Sequence, residues 1–562
     1  MVGTPAKIVI CSVTMSSSAV FAAITYRRDD SLPTTRHPRR PGFGSTELDR
    51  RFGSQHCFSV APTTSATADP RATNTGLAIP MFAICLHTTN QPLTCNTLVL
   101  TNAGSAMKKI HRGGLSSHLS PAGTILELAE LAWSGNLYTG GTDHPVHSTV
   151  EQSQEIADRI WVFEGMSSIA AIDTGAGLLI LDAGGQPDSP EFLNQLREWR
   201  PDTEVSAVVL SHHHIDHIFG TLTLDAEAES MGRPKPVVYA HENLPKNFNR
   251  YVKTQGWNTA VNQRQFAIEK ESFGWPAEYR YPNVTFNQTE KLRIGDLNAE
   301  LTHARGETDD AVWTWIPELS LLHPGDLFIW AVPNAGNPQK VQRYASEWAQ
   351  SLREMASKKA EIMVPGHGLP IIGAERVEQA LIETAELLES IEIQTLRMMN
   401  EGATLDAILH SLEIPKHLLS RPYLRPVYDH PQFIARNIWR LYGGWYDGQP
   451  DNLLPAPRLS TAKQWISLSG GAQQVLDRAE ELLTDGELPL ACHLIEAVFQ
   501  SGDSAPRTLQ LRAEAYSKYA AQQESSIARN ILNNAARNSA TTAVRLATHK
   551  RSRETVKNRS EQ

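Results

Sequence analysis

The chain has 562 residues, 41% hydrophobic and 20% charged, with a formal net charge of −9. That composition is globular and supports about three domains with a sizeable core, without disulfide or metal staples. The first 112 residues hold 12 Lys and Arg against 5 Asp and Glu, net +7, leaving 40 against 56, net −16, in the body; so acidic a body excludes nucleic acid as its main partner.

Residues 1–110 read as a disordered or targeting extension, rich in Ser, Thr, Pro and Arg and without a period of 2 or 3.6. Ile8–Tyr26 is moderately apolar and ends near the small-residue run Ser18–Ala23, features of a secretory signal, whereas the acid-poor continuation suits a transit peptide. Met107 offers an internal start. No later stretch approaches about 18 apolar residues, so no membrane span is expected and the protein reads as soluble. Its compartment, cytoplasmic or outside the cell, turns on the extension. Cys11, Cys57, Cys85 and Cys95 lie in that extension and only Cys492 in the body, which is no disulfide framework.

Order is expected near Leu126. Ile160–Phe163 and Leu178–Leu181 read as strands around a turn at 173–177, a helix covers about Ser189–Arg200, and Val205–Leu210 is a buried strand. Apolar β-type runs recur at Leu297–Leu301, Val237–Tyr239, Ala311–Trp315, Leu319–Leu322 and Ile362–Val364. Strands alternating with helices predict a layered α/β domain over 111–373. Beyond Gly373 the periods turn helical, through Val377, Ala380, Leu381, Leu388 and Ile391 and again through Val475, Leu476, Ala479, Leu482 and Leu483. An all-α domain over 374–545 and a charged, frayed tail over 546–562 are therefore expected.

The chemistry concentrates in Ser211-His212-His213-His214-Ile215-Asp216-His217, directly after an apolar strand. His212 and His214, two apart, project to the same side of extended backbone. Asp216 and His217 fall where the chain turns. Two adjacent divalent ions suit this nitrogen and oxygen set, and zinc prefers it, although manganese or iron also accepts it. One loop is too few ligands for two ions. Three further strand-end loops carry ligand types beside glycine: Gly306-Glu307-Thr308, Gly325-Asp326 and Pro365-Gly366-His367-Gly368.

This ordered set resembles the metallo-β-lactamase-fold hydrolases, and more narrowly their alkylsulfatase branch, which is similar to this chain in having glutamate where most of the superfamily has a third histidine. The resemblance implies an αββα sandwich over 111–373. It implies one metal held by His212, His214 and Glu307, a second by Asp216, His217 and His367, and Asp326 bridging. His213 falls on a variable position. Pro422–Tyr428 and Arg440–Gly448 resemble the alkylsulfatase dimerisation domain and imply a homodimer through the helical region. The family's arginine after the bridging carboxylate is displaced or absent here; Lys340 or Arg343 takes its place or is an ordinary solvated helix charge, and Asn334 is expected at the substrate. From His241–Phe266, which resembles the substrate-side loop, Tyr251 and Asn262 are expected to line the pocket and Trp257 to be structural. Asp309 and Asp310 are candidate acceptors for ligand histidines, or equally caps or surface charges. A C-terminal lipid-carrier-like domain is missing from the resemblance.

The reading is thus a dinuclear zinc hydrolase of alkyl sulfate or related anionic esters. Paired ions about 3.5–4 Å apart make water nucleophilic near neutrality; a bridging hydroxide attacks, and Asp216 and Asp326 orient it and take its proton. A phosphodiester, lactone or carboxylic ester is the alternative substrate, and a non-catalytic dimeric scaffold the alternative role.

Overall fold

The computed structural model describes residues 123–137, 144–147 and 149–560, with side chains to 548. The expectations for residues 1–110 lie outside the described residues. Order opens with the helix Ile125–Trp133, whose Thr124 and Glu127 form a reciprocal capping box.

Thirteen strands among the described residues form two sheets. We number them β1 (Gln152–Ala157), β2 (Ile160–Glu164), β3 (Ser168–Asp173), β4 (Leu178–Leu181), β5 (Val205–Val209), β6 (Val237–His241), β7 (Val284–Phe286), β8 (Thr289–Ile294), β9 (Leu297–Ala304), β10 (Ala311–Ile316), β11 (Leu321–Ile329), β12 (Ile362–His367) and β13 (Ile371–Ile372). The first sheet runs β1 to β7 in order, antiparallel as far as β4 and parallel from β4 to β7. The second runs β13-β12-β11-β10-β9-β8, with β11 and β12 parallel.

Alternation along the strands builds the layers. Ile160, Val162, Ala170, Ile172, Leu179 and Leu181 face a core shared with the second sheet, where Trp313, Leu322 and Phe328 meet them. Their neighbours Trp161, Phe163, Ile169, Ala171, Leu178 and Ile180 face the other way, onto Phe192, Leu196, Leu224 and Phe248 of covering helices. A sheet buried on both faces reads as a continuous apolar run, which is why these strands stand out in the sequence. The result is an αββα sandwich followed by helices.

The helices Ala374–Asn400 and Pro431–Gly443 join the core of the sandwich through Val377, Leu381, Leu388, Ile434 and Ile438. A separate cluster, Val475 to Ala515, holds the helices Ala472–Thr484, Leu488–Gln500 and Pro506–Ala521 together. The last helix runs Ser526–Ser560, through the segment expected to fray; its Ala, Arg, Lys and Glu content favours helix. The expected loop 241–266 is instead two helices, Leu244–Lys253 and Gln255–Gln265. The spacing of Leu244, Phe248 and Tyr251, all buried, is the helical signal within it.

Candidate metal centre

Every strand that carries a ligand candidate ends at the same edge of the sandwich. After β5, Ser211–His214 stays extended and Ile215–Ile218 makes one helical turn. That turn sets Asp216 and His217 beside the first two histidines, with the His217 ring centroid 4.4 Å from that of His212. The chain end of β9 brings in Glu307, β11 contains Asp326, and β12 ends on His367. Two donor groups result, His212, His214, Glu307 and Asp326 in one, Asp216, His217 and His367 in the other, each with donor atoms within 4.8 Å of one another. All seven candidate ligands are brought together.

Asp326 faces both groups. Its Oδ2 is 3.6 Å from His212 Nε2, while its Oδ1 is 3.2 Å from His217 Nε2 and 3.5 Å from His367 Nε2. Asp216 Oδ2 lies 3.4 Å from His367 Nε2, and Glu307 Oε2 3.5 Å from His214 Nδ1. Two glycines make these approaches possible. A Cβ on Gly366 would meet Asp326 Oδ1 at 2.2 Å, and one on Gly325, whose φ is +53°, would meet Ser211 Cβ at 2.5 Å.

The carboxylates and imidazoles of the pocket shift one another's charge. Burial pushes the His212 imidazole down to about 3, with His214 and His217 close by adding to it, so it is a neutral donor. Burial opposes ionisation of Asp326 and Glu307, but neighbouring histidines, and for Glu307 first the Arg343 guanidinium, hold both carboxyls below their usual range. Burial also opposes the charge on His367, which the Asp326 and Asp216 carboxylates nevertheless push up to about 10. Three ionised carboxylates crowd a buried pocket. His217 Nε2, Glu307 Oε2 and Asp326 Oδ1 are buried there with no hydrogen-bond partner, and all three point into the donor groups. Unsatisfied buried donors of this type fit divalent cations bound by nitrogen and oxygen.

The supports behind the ligands were not legible in the sequence. Asp182, fully buried and at φ +58°, accepts from Ser211 N (2.7 Å) and Ser211 Oγ (2.7 Å) and lies 2.8 Å from His217 Nδ1. Ser211 Oγ is also 2.9 Å from His212 Nδ1. His367 Nδ1 lies 2.6 Å from the Met166 carbonyl oxygen. Asp309 and Asp310, expected in this role, serve elsewhere: Asp310 holds His213 (2.8 Å), whose Nε2 meets Arg250 Nη2 (3.0 Å), and Asp309 accepts from Asn247 (2.8 Å). His213 points away from both donor groups, because neighbours in extended backbone alternate.

The substrate candidates divide. Arg343 and Asn334 line the cleft above the ligands, but both donate to Glu307 Oε1, Arg343 donates also to the Asn334 carbonyl (2.7 Å), and Arg343 is buried. They hold a ligand. Lys340 and Asn262 line the same cleft, with Lys340 Nζ 3.2 Å from Asn262 Oδ1 and 5.4 Å from the Trp275 ring centroid. Tyr251 lies behind the wall, its ring 5.0 Å from His213 and 4.9 Å from Trp275. Trp257 is 60% exposed and packs no core, contrary to the structural role expected of it. The cleft's other wall is apolar, with Ile215, Phe266, Ile268, Phe273 and Trp275. Tyr428, from the helical region, closes it.

Residues 162–367 match the family model described as the metallo-beta-lactamase superfamily, and residues 404–541 the one described as alkyl sulfatase dimerisation. The chain therefore joins a metallo-β-lactamase superfamily domain to an alkyl sulfatase dimerisation domain. It is similar to a linear primary-alkylsulfatase of a Pseudomonas species, 29% identical over 58% of this chain and 64% of that one. An (R)-specific secondary-alkylsulfatase from Pseudomonas is 24% identical over 67% of this chain and 61% of its own. Among solved structures, an inverting sec-alkylsulfatase from Pseudomonas superposes with a TM-score of 0.61 at 22% identity, over 68% of this chain and 64% of that one; the likeness is one of fold. The chain spans less than two thirds of the length of these relatives.

Proposed function

We propose that this protein is a dinuclear metal-dependent hydrolase of alkyl sulfates. The observation that carries the reading is Asp326, whose two oxygens face the two donor groups, in a cleft lined by Lys340 and by apolar side chains. The relatives' names, alkylsulfatases of primary and secondary type, support the substrate class.

His212, His214 and Glu307 would hold one cation, Asp216, His217 and His367 the other, with Asp326 between them; zinc is the cation this nitrogen and oxygen set favours. When bound, the pair supplies Lewis acidity that activates water and offsets negative charge on the departing group. Lys340, with Asn262 beside it, binds the anionic sulfate. Ile215, Phe266 and Phe273 take the alkyl chain and exclude water. Asp216 and Asp326 orient the attacking water and accept its proton on a carboxylate oxygen. The ester and one water give an alcohol, sulfate and a proton.

Four large apolar side chains of the helical region, Trp445, Leu454, Trp465 and Leu468, are exposed in the single chain, Leu454 to 90%. The matched dimerisation region contains all four, and we assign them to a homodimer interface. Among the described residues no helix is long and apolar enough to cross a membrane.

Metal analysis of the purified protein followed by a sulfate-release assay on short and long alkyl sulfates tests the reading. About two zinc ions per chain with sulfate release is the expected result. Two metals with turnover only of phosphodiesters, lactones or carboxylic esters replaces the substrate, and no metal leaves a scaffold.

A further inference from the structure

The supports of four of the candidate ligands come from different places. His212 leans on Ser211, His217 on Asp182 and His367 on the Met166 carbonyl, all within the sandwich. Glu307 is held by the segment 334–343, through Asn334 and Arg343. That loop is in turn gripped by the helical region.

Two buried side chains make the grip. Asp429 Oδ2 accepts from Gly336 N at 2.6 Å and from Asn337 N at 3.1 Å. Asn437 Nδ2 donates to the Ala335 carbonyl at 2.8 Å and to the Arg343 carbonyl at 2.9 Å. Around them Gln342 Nε2 donates to the Asn437 carbonyl (3.0 Å), and Arg440 Nε to Gln342 Oε1 (2.8 Å). There is no slack. A Cβ on Gly336 would come within 2.4 Å of the Phe433 backbone and 2.5 Å of Ile434 N. Both ends of the loop are therefore fixed to one helix and the segment just before it, and the residues at those ends are the two that bind Glu307 Oε1. Fixing Oε1 leaves Oε2 directed at His212 and His214, at 3.7 and 3.5 Å.

We propose that Asp429 and Asn437 are positioning residues for Glu307, through which the helical region sets the cation affinity of the His212, His214, Glu307 and Asp326 group and leaves the Asp216, His217 and His367 group alone. The inference rests on reading both groups as metal sites. It gives the helical region a task besides association between copies.

The test uses the full chain, stripped by a chelator and titrated with zinc against a chromophoric competitor, so that both binding steps are read directly. Glu307→Gln first identifies which step belongs to the Glu307 group. Asn437→Leu and Asp429→Asn are each expected to weaken that same step by roughly 10–100-fold, the usual effect of losing an outer support, with the other step unchanged. Adding Asn437→Leu to Glu307→Gln is expected to weaken nothing further. Equal weakening of both steps, no weakening, or a further loss in the double variant overturns the proposal. Asp429→Asn, nearly isosteric, carries the comparison if Asn437→Leu does not fold. Failure of the underlying metal reading is distinct, since the unaltered protein would then take up no zinc.

Discussion

Asp182 Oδ2 lies 2.8 Å from His217 Nδ1, and neither side chain is exposed to solvent. The same carboxylate binds Ser211 N and Oγ, so it fixes one ligand ring and the start of the loop bearing the other histidines. Asp182→Ala is expected to lower metal affinity roughly 10–100-fold while the sandwich stays folded. Competition with a chelator measures it; affinity equal to the unaltered protein would remove Asp182 from the centre.

His214→Ala deletes a donor that lies on a loop and supports no core. We expect turnover to vanish with the melting temperature little changed. Glu307→His keeps a donor but loses the partner of Arg343, so metal binding should persist in part with altered kinetics. Normal turnover in the first variant, or unchanged kinetics in the second, removes that residue from the ligand set.

The ammonium of Lys340 is pushed down to about 8, by burial first and by the nearby Arg343 second. As pH rises through that value the cation is lost and anion binding weakens. KM for an alkyl sulfate is therefore expected to rise roughly tenfold per pH unit at most above 8. Lys340→Arg keeps its charge throughout, so the steepening in KM should disappear; an identical KM profile in that variant would show that Lys340 does not face the sulfate.

Burial pushes the Glu164 carboxyl up to about 8, against a hydrogen bond from Val150 N. Between about 4.5 and 8 the folded protein keeps a proton that the unfolded chain releases, so stability falls as pH rises across that window, by at most about 1.4 kcal/mol per pH unit for one proton. Glu164→Gln cannot ionise. Its melting temperature should fall less than that of the unaltered protein between pH 5 and 8, and parallel curves would refute the assignment.

The exposed Trp465 and Leu468 are assigned to association. Converting both to glutamate should shift the mass in solution from dimer to monomer, read by sedimentation, because charge is costly in an apolar interface.

The candidate ligands were legible because each is a ligand-type residue in or just after an apolar strand, and strands buried on both faces announce themselves as apolar runs. Their supports were not. Asp182 sits in an ordinary Asp-Ala-Gly-Gly turn, and its contact with His217 exists only once β4 and β5 pair in parallel. Arg343 reads as an anion binder from residue type alone; only burial against Glu307 shows where its charge is spent. Tyr251 fell on the right segment, but the helical turn that carries it faces inward, which a loop reading of 241–266 cannot anticipate.

The distribution of the centre along the chain has a consequence for synthesis. A nascent chain presents His212, His214, Asp216 and His217 together, then Glu307 and Asp326, so one complete donor group leaves the ribosome before the other gains His367. Yet the buried residues that hold the Glu307 loop, Asp429 and Asn437, emerge after all of them. The donor group whose members all emerge first is thus the last to gain its outer hydrogen bonds, which come from the late helical region.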